Sequence, residues 1–491
     1  MPNNKSILQE LKNRVHAKLK DSILTYSEPD PKSKRRHDRS EVNATKSRRQ
    51  VTISKYGKKK KYIISAVVEG APIAWDFVKA MELYTRQHNA EIALLWMRGV
   101  YKKDTFSNWE FDQIRPYITT SIKLNENLEA RDFELAPAKC LPLGGRITKL
   151  GTRETSVIVA STKQHMEAIP CNPPKLPHCM WSTGTISTPN YSETEVGALA
   201  KQENTLGALV VEVIDNKRFF IRPVQWINNG FVDLGIKYTA KGMKKVATKA
   251  MVFGDIHFGE EDQQALDVAV EQAKYLKAEK IFLHDIGSFN SISHHLVSQC
   301  VSRSKLPSNL NTLEKELDYI RSGLKTLVGQ FKKDTPKFYV VSSNHDAFLH
   351  KYLESGYFVK EPLNAKLGAQ MFIDLCDNKN LLGKYLATDH VHFLNKYDNM
   401  SVEGIELGLH GHDGASGARG NTAVFFKNLN KCIIGHQHRP GIRGGCYVVG
   451  TLSKLQLPYM RGLSAWLHAN AVVYEGGYTQ LLVYIGDTWH A

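Results

Sequence analysis

KAMVFGDIHFG runs from Lys249 to Gly259 and marks the point at which the character of the chain changes. Ala250 to Phe253 is an uninterrupted apolar run of strand length, ended by Gly254, with Asp255 and His257 following two residues apart. Such a run bounded by a turn residue reads as a buried strand. The helical stretch EDQQALDVAVEQAKYLKA comes next, then the apolar KIFLHD, the helical TLEKELDYIRSGLKTLVGQF and the apolar KFYVVSSNHD. Strands alternating with amphipathic helices predict a layered α/β domain. In the second helix Leu313, Leu317, Ile320, Leu324, Leu327 and Phe331 recur at helical spacing and read as core packing. The end of the chain is read as strand-rich, through GIELGLHG, TAVFFKN, KCIIGHQH, GCYVVG, NAVVYE and QLLVYIG.

Upstream the reading is less specific. The chain has 491 residues, which suits two or three domains. Residues 62–245 begin with the strand YIISAVVEG, a helix over Ala74–Arg86 and the strand AEIALLWM, and continue with short runs such as TSVIVAS, ALVVEVID and KRFFIRPVQWI. They are expected to form an N-terminal α/β or α+β domain of unassigned chemistry, with residues 246–491 as the second domain. Residues 1–61 form a basic arm, with a short helix expected over residues 5–20 and a polar linker from Tyr26 to Gln50. The arm holds 18 Lys or Arg against 6 Asp or Glu, most of the net charge of +16. Lys34, Arg35, Arg36, Arg48, Arg49, Lys58, Lys59 and Lys60 stand in its basic runs, which point to nucleic-acid phosphate. The isoelectric point is near 9.3.

Composition excludes some classes. No apolar run reaches the ~18 residues of a membrane span, and the N-terminus lacks an apolar signal core. Seven cysteines without C-x-x-C spacing suit reduced thiols and a cytoplasmic setting, which means the host cytoplasm if the chain is phage-encoded. A homo-oligomer is compatible with all of this.

Chemistry-bearing residues stand at the end of one apolar run after another. GDIHFG has Asp255 and His257, HDIGSF has Asp285, and SNHD has Asn344, His345 and Asp346; GLHGHDG has His410 and His412, and GHQH has His436 and His438. His436 and His438 are expected on one side of an extended backbone, because side chains alternate with period two. Carboxyl ends of strands converge on one edge of layered α/β folds, where ligands bind. Mixed imidazole, carboxylate and amide groups without cysteine suit two divalent ions about 3.5–4 Å apart. Manganese, iron or zinc fits better than magnesium. Asp285 is the candidate bridge between the ions.

The order of these motifs, D-x-H, G-D-x-x-D, G-N-H-[DE], H and G-H-x-H, resembles that of the calcineurin-like metallophosphoesterases, over residues 248–490. The resemblance implies a four-layer α-β-β-α sandwich with a dinuclear centre at the strand ends. It implies one ion held by Asp255, His257, bridging Asp285 and His438, and another held by Asp285, Asn344, His410 and His436. It makes His345 the acid for the leaving oxygen, oriented by Asp346, with His412 competing with His410 for the fourth motif. The second motif departs from the pattern: His284 replaces its glycine and Ser288 its second aspartate. Ser343 replaces the glycine of the third.

Such a centre hydrolyses phosphoesters by in-line attack of a metal-bound hydroxide. With the basic arm, the leading expectation is a DNA nuclease. The chain is similar to SbcD-type nucleases, although the domain order differs, and also resembles early nucleases of tailed phages that degrade host DNA. Arg419, His294, His295 and His412 are possible substrate contacts. The alternatives are a phosphoprotein or small-molecule phosphatase, and a non-catalytic scaffold that binds nucleic acid.

Overall fold

A computed structural model describes residues 60–97, 112–133, 135–147, 155–293, 304, 306–331, 335–429, 431–457, 460 and 462–490. Lys34, Arg35, Arg36, Arg48, Arg49, Lys58, Lys59, the helix expected over 5–20 and the pair His294–His295 lie outside the described residues.

The described chain is a mixed α/β structure. A six-stranded sheet takes the order Val391–Phe393, Lys337–Val340, Lys280–Leu283, Thr248–Val252, His468–Tyr474, Tyr478–Tyr484. Its first four strands are parallel and its last two are antiparallel additions. The apolar runs read from the sequence are buried on both faces here, as parallel strands usually are. Met251, Phe253, Ile281, Leu283, Phe338 and Val340 enter one core, with the helices Gln263–Leu276 and Leu313–Gly329. The alternate residues Ala250, Val252, Phe282 and Val341 enter another.

The helix stripe anticipated from Leu313 to Phe331 is buried in the first core. Each such side chain contributes roughly 1.5–3 kcal/mol. Thr312 caps this helix by accepting from Lys315 N, and Asp262 caps the other by accepting from Ala265 N. Caps of this kind add about 1 kcal/mol each.

The second core lies between this sheet and a ten-stranded one. The latter runs Ser401–Val402, Ile405–Glu406, Cys432–Ile434, Cys446–Val448, Gly441–Arg443, His165–Ile169, His178–Ser182, Ser156–Val159, Leu128–Arg131, Ile122–Asn125. Gly441, Ile442 and Arg443 pair antiparallel with Glu167, Met166 and His165. One sheet therefore takes strands from both sides of residue 245. A third sheet holds Lys60–Val68 and Ala90–Met97 and packs the helix Trp75–His88 through Phe77, Met81 and Tyr84.

TAVFFKN is not the strand its β-branched and aromatic residues suggest. It lies in the helix Thr422–Leu429. Asn421 Oδ1 accepts from Val424 N at 3.1 Å, a cap that turns the chain into a helix, and Phe425 alone of that helix is fully buried, against Cys432, Ile434, Cys446 and Val448. A Ser, Thr, Asp or Asn just before an apolar run is a helix-start signal that outweighs β propensity. Among the described residues no helix is long and apolar enough to cross a membrane.

Candidate metal centre

Three neighbouring parallel strands deliver the first groups. Asp255 and His257 follow Thr248–Val252, Asp285 follows Lys280–Leu283, and Asn344 and His345 follow Lys337–Val340. Strand-like pairing continues beyond the strands: Ile256 N donates to His284 O, His257 N to Asp285 O and Phe258 N to Ile286 O, at 3.1, 2.7 and 3.0 Å. The facing sheet supplies the rest. Its strands Ile405–Glu406 and Cys432–Ile434 are parallel neighbours and lead to His410 and to His436 and His438. Gly435 packs so close to the first loop that a Cβ there would strike the Asp255 carboxylate and the His284 ring.

His257, Asp285, His436 and His438 all have left-handed backbone, with φ of +53°, +41°, +71° and +53°. Non-glycine residues held this way cost about 1–3 kcal/mol each and cluster at functional sites. The extended backbone expected for GHQH is therefore corrected. The two turned residues reach different partners: His436 Nδ1 is 2.9 Å from Asn344 Oδ1, and His438 Nε2 is 3.0 Å from Asp255 Oδ2.

Asp255, His257, Asp285 and His438 are all buried, and one ligand atom from each lies within 4.8 Å of the others. His257 Nε2 and His438 Nε2 face each other at 3.0 Å, and His257 Nε2 is 3.7 Å from Asp285 Oδ2. On the other side of Asp285, His410 Nε2 is 3.1 Å from Asp285 Oδ2 and 3.0 Å from Asn344 Oδ1. Four of the seven expected residues thus gather in one group, and His410, Asn344 and His436 adjoin it in turn through Asp285. The group can hold a metal ion: Asp255 Oδ1 and Asp285 Oδ1 are buried without any hydrogen-bond partner. Buried polar atoms are normally satisfied, and an ion is one explanation for such exceptions.

Electrostatics match this. Burial pushes His257 down to about 3, and His284 and His436 down to about 4. These rings are neutral at physiological pH, with lone pairs available as ligands. Burial would also lower His410, but the adjacent Asp285 carboxylate raises it to about 9. Burial opposes the charge on Asp285, yet His410 and His345 hold it well below the usual carboxylate range.

The remaining expected residues take different places. His345 Nδ1 is 3.0 Å from Ser288 O. Asp346 does not orient it: Asp346 Oδ2 accepts from Ser343 N at 2.8 Å and Asp346 Oδ1 has no partner. Asp346 instead folds back on its own turn, and burial raises its carboxyl to about 7. His412 stands at the margin, half-buried, with Nε2 3.4 Å from Asp413 Oδ2. Arg419 is exposed at the end of the turn that begins at Asp413. Lys60 opens a strand and pairs with Glu91 at 3.1 Å.

Three residues at the site carry no role in the sequence reading. His284 is buried, with Nδ1 3.2 Å from His410 Nδ1, and Asp255, His284 and His410 form a second metal-suited group. Ser288 and Glu260 stand behind His257. Their signals were the departure H-D-I-G-S and the acidic pair directly after GDIHFG.

No protein-family model matches the chain. Over 458 residues, 86% of this chain and 81% of the relative, it is 27% identical to Protein A1 of Escherichia phage T5.

Proposed function

We propose that this protein is a phosphodiesterase dependent on two divalent metal ions, with DNA as its substrate. One observation carries the reading: two buried carboxylates with unpartnered oxygens stand with the neutral rings of His257 and His436 at the carboxyl edges of two facing sheets. One ion is assigned to Asp255, His257, Asp285 and His438, and the other to Asp285, Asn344, His410 and His436. Nitrogen and oxygen donors without thiolate favour manganese, with iron, zinc or magnesium as competitors. Helices on the outer face of the six-stranded sheet, and the helix Thr422–Leu429 outside the ten-stranded one, fit the four-layer arrangement expected of the calcineurin-like family.

Ions held by these residues would supply a hydrolytic nucleophile near neutral pH and would neutralise charge on the phosphoryl oxygens. The protein's part is positional. Asp285 would hold both ions, and the left-handed turns send His436 to Asn344 and His438 to Asp255. His345, held through Nδ1 on Ser288 O, would use Nε2 as the general acid for the leaving oxygen. Asp346 is not part of that assignment. The basic arm brings the phosphate backbone to the site.

The test is incubation of the purified chain with plasmid and linear duplex DNA in manganese, magnesium or chelator, beside Asp285→Ala. Metal-dependent degradation absent from the variant supports the proposal. Intact DNA in every metal, with p-nitrophenyl phosphate hydrolysed, replaces it with a phosphatase.

A further inference from the structure

Behind His257 lies a chain of hydrogen bonds that the ligand set does not require. Ser288 Oγ is 2.7 Å from Glu260 Oε2 and 3.2 Å from His257 Nδ1. A carboxylate has no proton to give, so the Ser288 hydroxyl donates to Glu260. Its single proton is then committed, and only lone pairs face His257. Nδ1 of His257 must therefore be the N–H donor, and Nε2 keeps the lone pair directed toward Asp285 and His438.

The relay is anchored at its far end. Glu260 Oε1 accepts from Asn290 Nδ2 at 3.2 Å. The backbone N–H groups of Asn290 and Ser291 donate to the buried carboxylate of Glu316 at 2.9 and 3.0 Å. Ser288 also acts through its backbone, since its carbonyl accepts from His345 Nδ1 at 3.0 Å. The rings of His257 and His345 meet edge to face with centroids 4.8 Å apart. One serine thus sets the proton positions of two neighbouring histidines.

We propose that Glu260, acting through the Ser288 hydroxyl, is a positioning residue that locks His257 in the tautomer with its proton on Nδ1, so that Nε2 is presented to a metal ion. The metal part of this rests on the function proposed above; the tautomer part does not. Ser288 stands where the resembled pattern has its second aspartate, and the carboxylate comes instead from the loop after Asp255. Partners that orient a ligating histidine typically change metal affinity about 10–100-fold when removed.

Two measurements on the full-length chain test the relay. Imidazole ¹⁵N shifts of metal-free protein read the His257 tautomer directly. The relay predicts the Nδ1–H form in the wild type and loss of that preference in Glu260→Ala and Ser288→Ala. A wild-type ring protonated on Nε2, or an unchanged preference in both variants, overturns it. Cobalt(II) titration followed by visible absorption reads the consequence. Both variants are expected to bind one ion as the wild type does and the other about 10–100-fold more weakly. Ser288→Thr, which keeps the hydroxyl, restores both. Glu260→Ala is the deciding variant if Ser288→Ala does not fold, because Glu260 lies nearer the surface. Wild-type affinity for both ions in Glu260→Ala overturns the consequence. A wild-type chain that binds no cobalt refutes the metal function while leaving the tautomer result standing.

Discussion

Arg222 and Asp255 are both buried charges, and the protein surrounds them in opposite ways. Arg222 Nε is 2.7 Å from Asp233 Oδ1, and its Nη2 lies 2.9 Å from both Asp233 Oδ2 and Glu212 Oε1. Tyr84 and Gln480 donate to the same Asp233, and Lys61 Nζ pairs with Glu212 at 3.1 Å. Burial works against the charge, but the two carboxylates raise the guanidinium well above its ordinary range. One guanidinium nitrogen, Nη1, is buried without a partner, but the charges of Arg222 and Lys61 are matched by those of Asp233 and Glu212, and the cluster ties the third sheet to the strand Tyr478–Tyr484. Around Asp255 and Asp285 the neighbours are mostly neutral rings, and one oxygen of each carboxylate has no partner. The difference separates a structural cluster, whose charges are matched within it, from a group that has His410 as a counter-charge and still leaves one oxygen of Asp255 and one of Asp285 open to a cation.

The sharpest way to break the comparison is Asp285→Ala. It removes the carboxylate proposed as the bridge and should lower the proposed DNA hydrolysis by at least the ~10²–10³-fold typical of losing one transition-state contact, read by gel assay in manganese. Retained hydrolysis contradicts the bridge. His345→Ala should keep both ions and lose about 10²–10⁴-fold in turnover, as removal of a general acid does. Normal turnover at unchanged metal content sinks that role.

Arg222→Ala tests the other side. Breaking a buried pair costs about 3–5 kcal/mol, so the urea midpoint should fall while manganese affinity stays as in wild type. Manganese itself should stabilise the wild type by about 2.7 kcal/mol at a hundred times its Kd, and Asp255→Ala should lose most of that gain. An equal gain in the variant would place the ion elsewhere.

The smallest effect is on pH dependence without metal. In the folded chain His257 titrates at about 3, and His284 and His436 at about 4, against 6.5 when unfolded. Between those values the unfolded chain binds more protons, so stability should fall as pH drops from about 6.5 to 4. His410, raised to about 9, acts in the opposite sense, but its contribution is complete below 6.5; Asp346, raised to about 7 by burial, also opposes the fall over this interval, as one group against three. A urea midpoint that rises over that interval contradicts the assignment of neutral rings.

Much of the site was legible because each ligand follows an apolar run. Runs such as KAMVF and KIFL have little choice but to be buried strands, and parallel order brings their carboxyl ends together. Two things were not legible. The partnership of Gly441–Arg443 with His165–Glu167 joins residues far apart in sequence, and short strands carry no mark of their neighbour. The conformation of GHQH escapes period-two alternation, which assumes an extended chain, because left-handed turns depend on the loops packed around Gly435. Asp346 shows the same limit. Adjacency to His345 suggested a pair, yet a residue at the start of the helix Asp346–Glu354 finds the backbone N–H of Ser343 first.

Equilibrium dialysis of the purified full-length chain against manganese, with metal counted per protein, tests the proposed two-ion site. Two ions are expected per wild-type chain, and fewer than two in Asp285→Ala. A wild-type chain that binds no manganese, zinc or iron at millimolar concentration would contradict it.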